Sequence, residues 1–237
     1  MPVAHYENFP VGSLLLPKPL RAPVAIIYRF ARSADDFADE GDAPAAQRLA
    51  SLAGYRSELD RIAANRTPET PLFAEVARIV GAHALPLEPF YALLDAFSQD
   101  VVKARYADFG EVLDYCRRSA NPVGRLMLHL FERAEPPNLA LSDAICSGLQ
   151  LANFWQDVAI DYAKNRVYLP QDELARCGVS EAHLAGQRCD AAWRTLMTMQ
   201  IGRARTMLES GAPLADRLRG RFGLEIRVTV QGGLRIL

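Results

Sequence analysis

Apolar residues recur at helical spacing along almost the whole chain, and the breaks between the runs fall at proline and glycine. After an irregular opening that contains Pro2, Pro10, Pro17 and Pro19, a helical period begins near Arg21. It continues past Asp39 and stops at Gly41-Asp42-Ala43-Pro44. A second helix is predicted from Ala45 to about Ala64, with Leu49, Leu52, Tyr55, Leu59 and Ile62 on its apolar face. A third starts at Thr67-Pro68-Glu69-Thr70-Pro71 and runs to about His83. Leu85-Pro86 ends it, and a fourth covers roughly Glu88 to Lys103. Glu111 to Arg133 reads as helix split or kinked at Asn121-Pro122-Val123-Gly124, a break of the kind that opens backbone groups to a ligand. A further helix is predicted from Ser142, as N-cap, to Tyr162, followed by a basic loop, Lys164 to Pro170. A short segment at Gln171 to Cys177, a long helix from Asp190 to Ser210 and a last one from Gly220, weakened by Gly232-Gly233, complete the pattern. No run of β-branched alternation appears, which makes the fold class all-α, with helices around a central cavity.

Two of these helices carry polar stripes unlike an ordinary solvated face. In the helix ending at Tyr162, Gln150, Asn153, Asp157 and Asp161 fall within an arc of about 80°. Leu151, Phe154, Val158 and Ile160 point elsewhere. In the first helix Tyr28, Arg32, Asp35 and Asp39 share an arc of roughly 60°, with Asp36 about 100° off it. Acids one turn apart are commonly the solvated partners of Lys and Arg, and that reading suits either stripe alone. Both stripes mix their acids with large apolar residues, and neither alternates Glu with Lys. Pairs of carboxylates on two helices suit Mg²⁺, which takes a few carboxylate oxygens and completes its shell with water and phosphate. Arg32, Lys164 and Arg166 add cations of the kind that hold phosphate oxygens. The ligand implied is anionic, metal-bound and attached to an apolar body, as a prenyl diphosphate is.

Composition narrows the remaining choices. The 237 residues are half hydrophobic, with no linker between segments, which predicts one domain over 1–237. Lys plus Arg number 27 against 28 Asp plus Glu, so nucleic acid is not an expected partner. Cys116, Cys146, Cys177 and Cys189 show neither CxxC spacing nor a nearby zinc-completing His and read as buried thiols. No apolar run of about 18 residues and no basic-then-apolar leader is present. The expected location is the cytoplasm, with room for peripheral contact with a membrane. The chain stops at apolar Ile236-Leu237 without a cap, and the expectation is of a sequence truncated at its C-terminus relative to the natural domain.

Five ordered motifs resemble the squalene/phytoene synthase family: His5-Tyr-Glu-Asn-Phe9, Tyr28 through Asp39, Tyr115-Cys-Arg-Arg-Ser-Ala-Asn-Pro-Val-Gly124, Gln150 through Asp161, and Arg166-Val-Tyr-Leu-Pro170. Ser-Ala-Asn-Pro-Val-Gly and Asn-Phe-Trp-Gln-Asp are most similar to the hopanoid-pathway, hydroxysqualene synthase branch. The resemblance implies a trans-isoprenoid (terpenoid) synthase bundle in which Asp35, Asp39, Asn153, Asp157 and Asp161 hold Mg²⁺ against the diphosphate. It places Tyr28, Arg32, Gln150, Lys164, Arg166 and Tyr168 at the diphosphate site or in the catalytic cavity, and His5, Phe9 and Tyr115 in the cavity wall. Phytoene synthases usually carry Arg-Asp at Gln156-Asp157 and Glu-Asp at Ile160-Asp161, so those two departures argue against that branch.

The reaction implied is head-to-head isoprenoid chemistry without NADPH: presqualene diphosphate plus water gives hydroxysqualene and diphosphate. Two alternatives stand beside it, condensation of two farnesyl diphosphates to presqualene diphosphate or dehydrosqualene, and a non-catalytic subunit that keeps the fold. Functional coupling to a presqualene diphosphate synthase is a further expectation. Removal of Asp39 or Asp157 is expected to abolish turnover and to leave the metal-free protein as stable or more so, by relieving crowding among carboxylates.

Overall fold

The computed structural model describes residues 16–218 and 220–237, and within these the secondary structure is helical apart from an isolated parallel bridge between Arg105 and Val167. The first four helices, α1 (Lys18–Asp39), α2 (Ala45–Ala63), α3 (Pro71–His83) and α4 (Glu88–Val102), follow the predicted boundaries closely. They pack about Phe30, which is fully buried and meets Phe73 and Phe90 edge-on at centroid distances of 5.7 and 5.1 Å. Buried aromatic pairs of this geometry add to the area they remove from water.

The predicted break at Asn121-Pro122 is real. Helix α5 (Phe109–Ser119) stops at Ala120, and α6 (Asn121–Leu130) begins with Pro122 in its first turn, where the missing N–H costs nothing. Two boundaries differ from expectation. Helix α7 (Pro136–Gln156) starts six residues before Ser142, because Pro136 and Pro137 are suited to a first helical turn. Ser142 is buried mid-helix and caps nothing. The same helix then ends at Asp157, where φ −96° and ψ 11° leave helical geometry, and α8 (Val158–Ala163) follows. The amide of Asp157 still donates to Asn153 O at 2.9 Å and that of Asp161 to Asp157 O at 2.8 Å. The i to i−4 ladder thus passes through the break and keeps the polar stripe in register.

After the bridge come α9 (Gln171–Arg176), α10 (Glu181–Ala185), α11 (Ala191–Gly211), α12 (Leu214–Leu218) and α13 (Gly220–Ile236). Helices α7 and α11 lie in very close contact. A Cβ on Gly211 would meet Leu141 O at 2.7 Å, and one on Gly148 would meet Leu208 Cγ at 2.8 Å. Gly233, expected to weaken the last helix, instead lets α13 approach Leu149 and Leu208. The thiols depart from expectation, since Cys116 is buried but Cys189 is exposed. No helix among the described residues is long and apolar enough to cross a membrane.

Two buried clusters result. One is centred on Phe30 and the aliphatic faces of α1 to α4 and α6; the other gathers Tyr106, Tyr115, Phe154, Trp155 and Tyr168. The cavity described below takes residues from both, with Ile27 and Phe97 on one side and Tyr115 and Tyr168 on the other.

Candidate active site

One cavity of about 790 Å³ opens between α1, α4, α5, α7, α8 and the loop that follows α8. It is lined by Tyr28, Arg32, Asp35 and Asp39 from α1, by Tyr115 from α5, by Gln150, Asn153, Asp157 and Asp161 from α7 and α8, and by Lys164, Arg166 and Tyr168 from the loop. These are all the site residues expected from the sequence that fall among the described residues. His5 and Phe9 lie outside them. The helix break matters here in one respect. Ile160, expected to point away from the stripe, borders the cavity and is 59% exposed.

The first wall is a continuous helix that ends at the site. Arg32 Nε lies 2.8 Å from Asp36 Oδ1 and its Nη2 donates to Glu40 Oε1 at 2.7 Å, with Asp35 Oδ2 at 3.7 Å from Nη1. Asp36 swings off the stripe, as its position requires, and serves as an anchor for the stripe's arginine. On the second wall Asn153 Nδ2 donates to Asp157 Oδ2, so the amide orients a carboxylate one turn on.

The basic loop joins the walls. Val167 N donates to Ala104 O at 2.9 Å, and Arg105 reaches Asn165 O at 2.7 Å and Glu181 Oε1 at 2.6 Å, which fixes the backbone on both sides of Arg166. Arg166 Nη1 then lies 2.6 Å from Asp39 Oδ1, and Lys164 Nζ 3.7 Å from Asp39 Oδ2.

Burial and crowding raise two of these acids. Burial, then the charge of Asp39, pushes Asp35 up to about 7 against the pull of Arg32. Burial and Asp157 push Asp161 up to about 6. Carboxylates held this high lack positive charge, and a divalent cation would supply it. The donors are carboxylate and amide oxygens, a hard set suited to Mg²⁺ rather than to a softer metal. No group of three or more His, Cys, Asp or Glu among the described residues converges well enough to hold an ion alone.

Asp100 was not anticipated. It is 8% exposed at the end of α4, lines the cavity, and accepts a hydrogen bond from Tyr115 Oη; Tyr168 Oη lies 3.4 Å from its other oxygen. Burial pushes it up to about 7, opposed by the Tyr115 hydrogen bond and Arg166. A signal was present, since Phe90, Leu93, Phe97 and Asp100 share the buried face of α4 at helical spacing. An acid at such a position demands partners.

Helices closed about a cavity with acidic faces on two walls, basic side chains between them and an aromatic floor define an isoprenoid-synthase-type all-α fold. The sequence pattern of the squalene/phytoene synthase family matches residues 3–237, and the chain belongs to that family. It is 37% identical to a hydroxysqualene synthase of Rhodopseudomonas palustris over 224 residues, 94% of this chain and 75% of that one. The crystal structure of squalene synthase HpnC from Alicyclobacillus acidocaldarius superposes with a TM-score of 0.90 at 34% identity, covering 98% of this chain and 87% of that one. A dehydrosqualene synthase in complex with ligand shares the fold at a TM-score of 0.79 and 22% identity, over 90% of this chain and 76% of that one.

Proposed function

We propose that residues 1–237 act as one Mg²⁺-dependent domain that converts presqualene diphosphate and water to hydroxysqualene and diphosphate. The reading is supported chiefly by one observation: both acidic faces and the cations Arg32, Lys164 and Arg166 border a single cavity. Similarity to proteins named hydroxysqualene synthase supports the choice of reaction. The reaction is redox-neutral, so no nicotinamide is required.

Asp35 and Asp39 on one wall, with Asn153, Asp157 and Asp161 on the other, would hold Mg²⁺. The bound ion would offset negative charge that grows on the departing diphosphate, the effect on which catalysis of this type chiefly depends. Arg32, Lys164 and Arg166 bind phosphate oxygens, with Arg166 exchanging its contact to Asp39 for one to the ligand. Tyr28 and Gln150 line the same cavity and orient the diphosphate end. The rings of Tyr115, Phe154 and Tyr168 form a packed wall, with Phe154 and Tyr168 stacked at 3.8 Å. That wall excludes stray water and brings aromatic side chains to the place where a carbocation develops.

A protein that uses presqualene diphosphate needs an enzyme that makes it, hence the coupling to a presqualene diphosphate synthase. The test is incubation of the purified protein with Mg²⁺ and presqualene diphosphate, without NADPH, and mass spectrometry of the extracted lipid. Hydroxysqualene is expected. Turnover of farnesyl diphosphate with none of presqualene diphosphate would move the chain to the condensation step, and turnover of neither would make it a non-catalytic member.

A further inference from the structure

Water capture of a carbocation leaves a surplus proton, and a dry cavity has few places to put it. The capturing oxygen becomes positively charged until it loses a hydrogen, so a base must stand within reach of the water. The acids on the two metal-facing walls, Asp35, Asp39, Asp157 and Asp161, are committed to the diphosphate end under the reading above. Asp100 is not. It projects from α4 into the aromatic wall, with one oxygen bonded to Tyr115 Oη and the other facing Tyr168 Oη.

The two hydroxyls belong to the rings that would face the carbocation. Tyr115 is 4% exposed, and its ring lies 5.9 Å from that of Phe154 and 5.6 Å from that of Tyr168. The hydroxyl is thus held by its own ring packing as well as by the carboxylate. Arg166 spans the distance to the acidic face, with one nitrogen at Asp39 Oδ1 and another 3.4 Å from the backbone oxygen of Asp100. The Asp100 and Tyr115 pair therefore sits one guanidinium away from where the diphosphate departs.

Resting on the proposed reaction, we infer that Asp100 is the proton acceptor for the capturing water, acting through the Tyr115 hydroxyl. A lone pair of the water forms the new C–O bond to the cationic carbon. The O–H bond of the resulting oxonium breaks and its proton passes to Tyr115 Oη, while the original Tyr115 proton passes to Asp100 Oδ2. The sum is carbocation, water and carboxylate giving alcohol and carboxylic acid, with no oxidant or reductant. The phenol suits the transfer because it donates and accepts at one oxygen. Asp100 returns its proton to solvent once the product has left.

The carboxyl's position near 7 supports this role, since an acceptor is most effective when its pKa lies close to the working pH. The groups facing it are Tyr115 from α5, Tyr106 before α5, Tyr168 and Arg166 after α8, and more distantly Asp35 and Asp39 of α1. The tyrosines are held far above neutrality, by burial first and then by Asp100. They stay protonated, so within the cluster of Asp100 and the three tyrosines it is Asp100 that changes state; Asp35, also raised to about 7, belongs to the diphosphate wall and makes no hydrogen bond to Tyr115.

The experiment measures two products of one incubation with Mg²⁺ and presqualene diphosphate, hydroxysqualene and released diphosphate. In the parent protein their ratio should be near one at high pH and fall as the pH drops through about 7. Asp100→Asn keeps the shape and an oxygen for Tyr115, yet cannot take the proton. The ratio should fall roughly tenfold or more, whatever happens to total turnover, with the lost alcohol replaced by hydrocarbons from C–H proton loss. Its pH dependence should vanish too. Tyr115→Phe keeps the ring and should shift the ratio likewise, which decides the matter if Asp100→Asn folds poorly. Parent-like ratios in both variants would overturn the inference and assign the proton to diphosphate. A parent protein that makes no hydroxysqualene would instead overturn the reaction itself.

Discussion

The two acidic walls of the cavity are built differently. On α1 the acids share a continuous helix with their own cation: Arg32 is held by Asp36 of the same helix and by Glu40 just past its end, and Asp39 at its last position is claimed by Arg166 from across the cavity. On α7 and α8 the helix breaks at Asp157, the orienting group is the neutral amide of Asn153, and Asp161 is left with carboxylate neighbours and more distant cations. The contrast teaches that equal spacing of Asp along two helices does not make equal sites. Which acid is stabilised by a cation and which merely crowded depends on where the basic loop lands.

The largest consequence falls on Asp39. Asp39→Asn should lower kcat by roughly 10² to 10³, because one of the carboxylates that positions charge at the leaving group is lost. It should also destabilise the metal-free protein by about 1–3 kcal/mol, since Arg166, 14% exposed at its side chain, is left without its nearest partner. For Asp39 this reverses the expectation from the sequence that removal of Asp39 or Asp157 leaves the metal-free protein as stable or more so. Steady-state kinetics and thermal melts of the metal-free protein check both parts, and a melt raised by the substitution would show that Arg166 does not depend on Asp39.

Asp35 carries the opposite sign. Its carboxyl is raised from 3.8 to about 7, so below 3.8 folded and unfolded chains are both protonated and nothing is gained. Between 3.8 and about 7 the folded chain keeps a proton that the unfolded chain has lost, and stability declines as the pH rises through that window. Above it the full penalty remains. Allowing for a side chain 34% exposed, that penalty is on the order of 1–2 kcal/mol. Asp35→Asn should therefore raise the metal-free melting temperature at about pH 8 and match the parent near pH 4. Mg²⁺ with inorganic diphosphate should narrow the difference by stabilising the parent.

Much of this site was legible in the sequence because it lies on long helices. Periodicity fixes which residues share a face, so the one-turn separation of Asp35 from Asp39 and of Asn153 from Asp157 was enough to pair them. The partners across the cavity were not legible. That Arg166 reaches Asp39 depends on how a loop and a helix end are held, whereas Arg32 and Asp36 pair one turn apart on a single helix. The early start of α7 hid behind Ser142, a good cap residue that is buried instead, and Asp100 hid as a lone acid without a motif. The break at Asn121-Pro122 and the helix start near Pro71 were recoverable because proline's chemistry is local.

The walls nonetheless end in the same device, a clamping arginine. After α1 the Arg48 guanidinium of α2 donates to the carbonyls of Ala38, Gly41 and Ala43, which sets the turn following Asp39. After α8 it is Arg105 that reaches Asn165 O and Oδ1 as well as Glu181, with Asn165 held at φ 60°, a left-handed conformation uncommon for residues other than glycine. Loss of the second clamp should be mild. The Glu181 side of the contact is largely exposed and Val167 N still bonds Ala104 O, so Arg105→Ala removes about 1 kcal/mol of restraint from the loop. Only Lys164, Arg166 and Tyr168 ride on that loop, whereas Asp35 and Asp39 do not. The expected result is a KM for the diphosphate substrate raised about three- to tenfold, with kcat and the Mg²⁺ requirement closer to the parent's. If kcat falls as far as in Asp39→Asn, the loop's position is set through the acidic wall, and the two walls act as one unit.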